Sequence, residues 1–288
     1  QQIAQESLDG FLFLGDNVYA SRGFSETRLK AAYAEADSVI PWDQLGFVHA
    51  TWDDHDFGQN DGGAAFSGQP ISQRLFWQFF QPHTDASPAS SDGVYSAQMR
   101  AIEGQQVQFI ALDTRSFRGQ LKPTLIRNTP GAERYVPNPD PAQSMLGAAQ
   151  WAWLERELQT PADIRIVMSS IQVLAEGHGW ERWGNLPHEQ DRLLTLLHQR
   201  SPSDLLLISG DRHVGGAYQT TFQDERLTEI TSSGLNMAWT QATEYLPNQI
   251  GDAVREDHYA VLAITSSGLD HVIWYDRQGE QLTQIRLQ

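Results

Sequence analysis

Carboxylate and imidazole side chains recur in three short clusters, each placed directly after a run of β-forming residues. The first is Gly15-Asp16-Asn17-Val18-Tyr19, where the glycine permits a tight turn and Asp16 projects a carboxylate beyond the strand end. Taken alone, a strand-end aspartate is more often a turn or cap residue than a metal ligand. The second cluster, Trp52-Asp53-Asp54-His55-Asp56, is more demanding, because three carboxylates around one imidazole repel one another unless a cation offsets them. Trp52 before it and Phe57 after it argue for partial burial rather than a solvated acidic loop. The third, Ser209-Gly210-Asp211-Arg212-His213, follows four apolar residues and sets an oxygen donor and a nitrogen donor two positions apart. Arg212, between them, is able to face a phosphate. A histidine after a strand is usually structural, but three acidic strand-end clusters in one chain favour coordination.

Such clusters can act together only if the chain brings them to one place. Five apolar runs, FLFLGDNVY, GFVHATWDDHD, VQFIALDTR, IRIVMSSIQ and LLLISGDRH, read as strands ending in polar residues. Runs of this kind suit strands covered on both faces, and in open α/β sheets the crevice beyond the strand carboxyl ends holds the ligand. Between them the pattern predicts helices over residues 25–36 with Ser25 as cap, 72–80 with Ser72 as cap, 146–158, and from Pro187 to about Arg200. Residues 122–144 are rich in Pro, Asn and Gly and read as a long surface excursion. After Thr228 the chain reads as strands and turns, closing in an antiparallel meander.

Composition narrows the function classes. The net charge is −16, which argues against general electrostatic attraction to nucleic acid or anionic membrane; bound cations and a few arginines would have to attract an anionic substrate. The chain has no cysteine, which excludes disulfides, thiolate metal sites and cysteine nucleophiles among these residues. No apolar run is long enough to span a bilayer as a helix. A length of 288 residues fits one large α/β domain covering residues 1–288.

The ordered set GDNVY, WDDHDFGQND, LDTRSFR, SSIQVL, WGNLPHEQDRLL and SGDRHVGG resembles the alkaline phosphatase D (PhoD-like) family of calcineurin-like metallophosphoesterases, over nearly the whole chain. That resemblance implies an α/β fold with a two-sheet β-sandwich core flanked by helices, in αββα layers, and a β-rich C-terminal meander. It also implies metal-dependent hydrolysis of phosphate mono- or diesters by in-line attack of a metal-activated water. Asp16 then stands where a carboxylate bridges two metals, Asp54 at a second-metal ligand, and Tyr19 at a phenolate ligand, although Tyr19 also suits a packed aromatic. Asp211 and His213 match the two histidines of the GHxH motif. The carboxylate at the first of these positions favours hard cations, so that Fe3+ and Ca2+ are expected, with Zn2+ or Mn2+ as alternatives. His55 falls at the catalytic histidine, oriented by Asp56 and donating a proton to the leaving oxygen, while Arg212 or Arg115 steadies the phosphate. Arg118 is either an exposed cation or a structural one. Asn60 and Asp61 are expected to orient ligands or substrate, Trp180, Trp183 and Asn185 to line the mouth, and Gln172 stays open between ligand and positioning group. His178 reads as lying on an exposed loop, and His258 earns no role.

Members of that family carry a Gly-Ser-Cys motif on a strand ahead of GDNVY. Residues 1–8 read like the tail of the helix following it, so an amino-terminal truncation is expected, with a first metal site that is incomplete and a segment possessing no targeting signal of its own. By resemblance the protein is periplasmic or extracellular and acts on small-molecule phosphate esters, with no membrane partner; its oligomeric state is not legible. The alternatives are a non-catalytic calcium-binding module, an inactive truncated phosphatase, and a glycosidase with paired carboxylates, which the strand-end histidines disfavour.

Overall fold

A computed structural model describes residues 3, 8–20, 23–90, 92–242 and 246–287. The reading of residues 1–8 as the end of a helix falls mostly outside that set. The chain runs β1 (Gly10–Leu14), α1 (Glu26–Asp37), β2 (Phe47–Thr51), α2 (Asp54–Phe57), α3 (Gln69–Phe80), β3 (Ser96–Ile102) and β4 (Gln105–Ala111). There follow β5 (Lys122–Pro123), β6 (Tyr135–Val136), α4 (Gly147–Glu157), β7 (Ile164–Ser169), α5 (Pro187–Arg200) and β8 (Asp204–Ser209). The C-terminal part is all β: β9 (Gly215–Phe222), β10 (Glu225–Ser232), β11 (Gln249–Val254), β12 (His258–Thr265), β13 (Gly268–Asp276) and β14 (Gln281–Arg286).

A seven-stranded sheet in the order β11-β9-β10-β8-β7-β4-β3 forms one β layer. Its centre, β4, β7, β8 and β10, is parallel, and the two flanks are antiparallel. The parallel pair β1-β2 and the antiparallel meander β12-β13-β14 face it across a shared core of Leu12, Leu14, Ile166, Met168, Ile208, Val272 and Trp274. Helices α4 and α5 cover the outer face of the large sheet through Trp151, Leu154, Leu193 and Leu197, packed on Val167 and Leu207. Helices α1 and α3 cover the β1-β2 pair through Leu29, Tyr33, Phe76 and Phe80. Strand β1 illustrates why the layers form. Its alternate residues Phe11 and Phe13 face the α1/α3 core while Leu12 and Leu14 face the large sheet, the period of two that a doubly covered strand requires. The expected αββα layering is therefore present.

Several local expectations need correction. Ser72 does not cap α3, which starts a turn earlier with Gly68 as N-cap and a proline in its first turn; the Ser72 hydroxyl instead donates to the Phe57 carbonyl at 2.6 Å, tying α3 to α2. Ser25 stands at the N-cap of α1 but makes no side-chain capping bond. The hairpin β9-β10 begins well before Thr228 and extends the large sheet. Its first strand, GGAYQTTF, opens on two glycines and has four consecutive buried residues, which weakens its alternation. Strand β3, SAQMRAI, is equally masked by its polar alternate residues.

Candidate metal centre

The motif clusters follow the carboxyl ends of β1, β2 and β8, with β4 and β7 ending beside them. Leu14 pairs with Thr51, Ala111 with Met168, and Ser169 with Ser209, so the strand ends are level. Close approach there depends on glycine. A Cβ on Gly15, whose φ is +100°, would lie 2.5 Å from the Asp53 Cβ, and one on Gly210 would lie 2.8 Å from the Leu14 carbonyl oxygen. Asn17 locks the first two clusters together. Its amide donates to the Thr51 carbonyl at 2.9 Å and its backbone N–H to Asp56 Oδ2 at 3.2 Å. Asp56 Oδ1 also accepts the backbone N–H of Asp53 at 2.6 Å, closing the first turn of α2.

The residues expected to ligate metal meet in space. Asp16 Oδ2 accepts the Tyr19 hydroxyl at 3.0 Å and lies 3.9 Å from His213 Nε2, while Asp16 Oδ1 accepts the His55 backbone N–H at 3.2 Å. Tyr19 and His213 approach to 3.3 Å, and the Tyr19 ring lies 4.2 Å from the His55 ring. His55 Nε2 is 3.8 Å from Asp54 Oδ1. Asp16, Asp54 and His55 present ligand atoms all within 4.8 Å of one another. Asp211 shares the same field, its charge adding to those that raise the proton affinity of Asp16.

Three residues of the cluster and the neighbouring Asp61 share an unusual backbone conformation, one that Glu103, Asn128, Gln223 and Asp224 adopt in turns elsewhere. Asp16, Asp61, Asp211 and His213 all have φ between 51° and 64°, in the left-handed region that side-chain-bearing residues avoid. Strain of this kind persists where the surroundings over-determine the geometry. At His213 those surroundings are explicit: its N–H donates to Ser233 Oγ at 3.0 Å and its carbonyl accepts from Trp239 N at 2.7 Å. His258, given no role from sequence, holds this segment in turn: the Ser233 N–H donates to its Nε2 at 3.3 Å, and its own backbone N–H donates to the Gly234 carbonyl at 3.1 Å.

The electrostatics fit a cation. Burial, and then the neighbouring Asp53, Asp54, Asp56 and Asp211, hold the Asp16 carboxyl well above its usual range. Asp211 is raised likewise by burial and by Asp53, Glu181 and Asp54, against the opposing pull of Arg212. Burial and the Asp16 charge raise the Tyr19 phenol, and burial with His55 and Arg212 lowers His213. The protein alone therefore favours proton-bound carboxyls and a neutral imidazole, and a cation would take the protons' place with oxygen and nitrogen donors already aligned. A second acidic group, Asp54, Asp61 and Glu181, has its ligand atoms within 4.8 Å as well. Its charge is already balanced: Glu181 pairs with Arg115 at 2.7 Å and Arg118 at 2.8 Å, and Asp61 with Arg134 at 2.8 Å. Asp16 and Asp54 pair instead with histidines, so the first group is where the donor set fits a metal ion.

Other expected roles change. Arg115 is fully buried and donates to Asp53 Oδ1 at 2.6 Å and Glu181 Oε2 at 2.7 Å, so its guanidinium is engaged by the carboxylates beneath the site. Arg118 is the structural cation of the two readings open to it, donating to the Asp61 and Gly62 carbonyls. Asp56 does not orient the His55 ring, because its oxygens serve Asn17 and the Asp53 N–H; the ring instead faces Asp54 and Tyr19. Asn60 is exposed, and it is Asp61 that connects, its N–H donating to Asp54 Oδ2 at 2.6 Å. Trp183 and Asn185 are buried and do not line a mouth, and His178, expected on an exposed loop, is 2% exposed with Nδ1 accepting the Trp180 N–H. Gln172 donates to Thr231 Oγ1 at 3.0 Å in the core. Arg212 lies over Trp180 and Trp239, at 5.3 and 5.7 Å from their ring centres. Glu181 escapes the sequence reading; its signal is a pair of charges, Glu181 and Arg182, enclosed between Trp180 and Trp183, a setting that implies buried ionic contacts.

The sequence matches the family model described as PhoD-like phosphatase over residues 28–283. No curated protein matches. Among solved structures, the one described as "Structure of PhoD" is similar, with a TM-score of 0.62 and 17% identity, covering 100% of this chain and 68% of the other. Another is GAP50, described as the anchor in the inner membrane complex of Plasmodium, with a TM-score of 0.56 and 15% identity, covering 97% of this chain and 75% of that one. Among the described residues no helix is long and apolar enough to cross a membrane.

Proposed function

Because the chain belongs to the PhoD-like phosphatase family, we propose that it hydrolyses small phosphate esters, mono- or diesters, at the cluster formed by Asp16, Asp54, His55, Asp211 and His213. The observation that supports this most is the convergence of residues from β1, β2 and β8 on Asp16, whose two carboxylate oxygens face both His55 and His213. Asp16, Asp54 and Asp211, with Tyr19 and His213, would hold the cations; their hard oxygen donors suit calcium and a ferric ion, with zinc or manganese as alternatives. Cations so held supply positive charge to the phosphate oxygens and acidify water.

The chain's own residues supply the rest. The His55 side chain is 34% exposed, so its ring stands at the surface of the cluster, within reach of a leaving oxygen to which it gives a proton. Arg212, adjacent to Asp211 in sequence and stacked on Trp180, steadies the non-bridging oxygens. Asn17, Asp56, Arg115 and Glu181 hold the clusters in register beneath.

The test is hydrolysis of a chromogenic phosphate monoester and diester with calcium, iron, manganese or zinc supplied. His55→Ala is expected to lower kcat by about 10²–10⁴-fold, and Asp16→Asn to lower both rate and metal content. Activity untouched by either substitution removes the proposal. The likeness to an anchor protein of the same fold keeps one alternative in view, a cation-binding scaffold without catalysis; metal binding with no turnover of either ester would select it.

A further inference from the structure

Residues 233–239 form a strap across the His213 side of the pocket. Its polar groups are turned inward. Ser233 Oγ and the Trp239 N–H bond the His213 backbone, and Asn236 Nδ2 donates to the Asp16 carbonyl at 3.4 Å. Two of its apolar side chains are left in water: Leu235 is 50% and Met237 51% exposed. Each lies within one residue of a backbone or side-chain bond to the acidic pocket. Trp239, at the strap's end, meets Trp180 edge to face at 5.3 Å. Arg212 and Arg134 both lie over the Trp180 ring, at 5.3 and 5.0 Å.

An ester placed with its phosphate at the cation cluster must send its organic group somewhere, and the acidic floor is closed by buried ion pairs. The strap sets two exposed apolar side chains, Leu235 and Met237, in the segment whose Asn236 bonds Asp16, and it ends at the Trp239–Trp180 pair. We propose that Leu235, Met237, Trp239 and Trp180 form the subsite for the organic group of the ester, so that the preferred substrates are phosphate esters of apolar alcohols or phenols rather than of small polar alcohols. This rests on the phosphoesterase reading above and names its substrate class. Apolar contact favours such groups because it removes exposed hydrocarbon from water on both partners. The specificity comes from the strap's side chains, while its backbone positions His213.

The experiment compares kcat/KM for 1-naphthyl phosphate and glycerol 3-phosphate, in the full chain supplied with calcium and iron, before and after the paired substitution Leu235→Gln and Met237→Gln. The wild type is expected to favour the naphthyl ester beyond the difference in their uncatalysed rates. The variant should lower the ratio of the two kcat/KM values by about tenfold. An unchanged ratio, whether both esters are unaffected or both fall alike, overturns the subsite. A binding arm separates this from failure of the phosphoesterase reading: tryptophan fluorescence is titrated with phenylphosphonate and with methylphosphonate. Tighter binding of the phenyl compound to wild type, lost in the variant, supports the subsite even if neither ester is hydrolysed. Equal affinity for both phosphonates overturns it.

Discussion

Replacing Arg115 with methionine should damage the fold before it damages substrate binding. The guanidinium is fully buried and donates to Asp53 at 2.6 Å and to Glu181 at 2.7 Å. Arg115→Met removes one partner of a buried ionic network and leaves two carboxylates behind, which typically costs about 3–5 kcal/mol. Part of that charge stays compensated, since Glu181 keeps Arg118 at 2.8 Å and Asp53 keeps the Ser170 hydroxyl at 2.6 Å. The lower end, about 3 kcal/mol, is therefore expected, which for a chain of this size corresponds to a fall in Tm of roughly 5 °C. Equilibrium denaturation gives the stability, and steady-state kinetics on a chromogenic phosphate ester gives KM. Combining Arg115→Met with Asp53→Asn and Glu181→Gln should recover part of the loss, because neutral amides are cheaper to bury than unpaired carboxylates. A variant of wild-type stability with a raised KM would refute the reasoning and return Arg115 to the substrate.

His49 is buried with its Nε2 3.1 Å from Ser96 Oγ, and burial pushes its pKa down to about 3. Folded protein therefore keeps it neutral while the unfolded chain takes up a proton near pH 6.5, so stability is lost as pH falls below that value, by about 2 kcal/mol at pH 5; His49→Gln should flatten this part of the stability–pH curve, and an unchanged slope would contradict it. Tyr19→Phe removes the hydroxyl that bonds Asp16 and approaches His213, and should weaken cation binding about 10–100-fold by calorimetry; wild-type affinity would show the phenol to be a packed aromatic only. Because Asp16 and Asp211 are both pushed upward in proton affinity, cation binding near neutral pH should release protons, seen as a dependence of the calorimetric heat on buffer ionisation; identical heats in all buffers would count against displacement of protons by metal.

The motif clusters were legible because each sat at the end of a doubly covered strand, where β propensity and an abrupt run of polar residues coincide. β1, β2 and β8 carry Asp16, Asp54 with His55, and Asp211 with His213 to one edge, and parallel pairing levels their ends. Helix α5 was equally plain, since Pro187 and the Leu193, Leu194 and Leu197 stripe fix its start and face. What escaped depends on distant partners. Arg115 looks like a phosphate ligand until Glu181, 66 positions away, is seen to face it. Asp56 looks like a partner for its neighbour His55, but Asn17 arrives from β1 and takes its oxygen. His178 lies between glycines, which suggested exposure, yet the chain folds over it. The strap of residues 233–239 has no periodicity at all, and its role rests on backbone bonds to His213 that composition does not encode.

Crystals of the protein soaked with calcium and iron, with anomalous diffraction collected at the iron edge and at long wavelength for calcium, locate the ions directly. The peaks should fall between Asp16, Asp54, Asp211 and His213, and Asp16→Asn should abolish at least one. Peaks confined to the Asp61 and Glu181 side, or to surface carboxylates, would contradict the account.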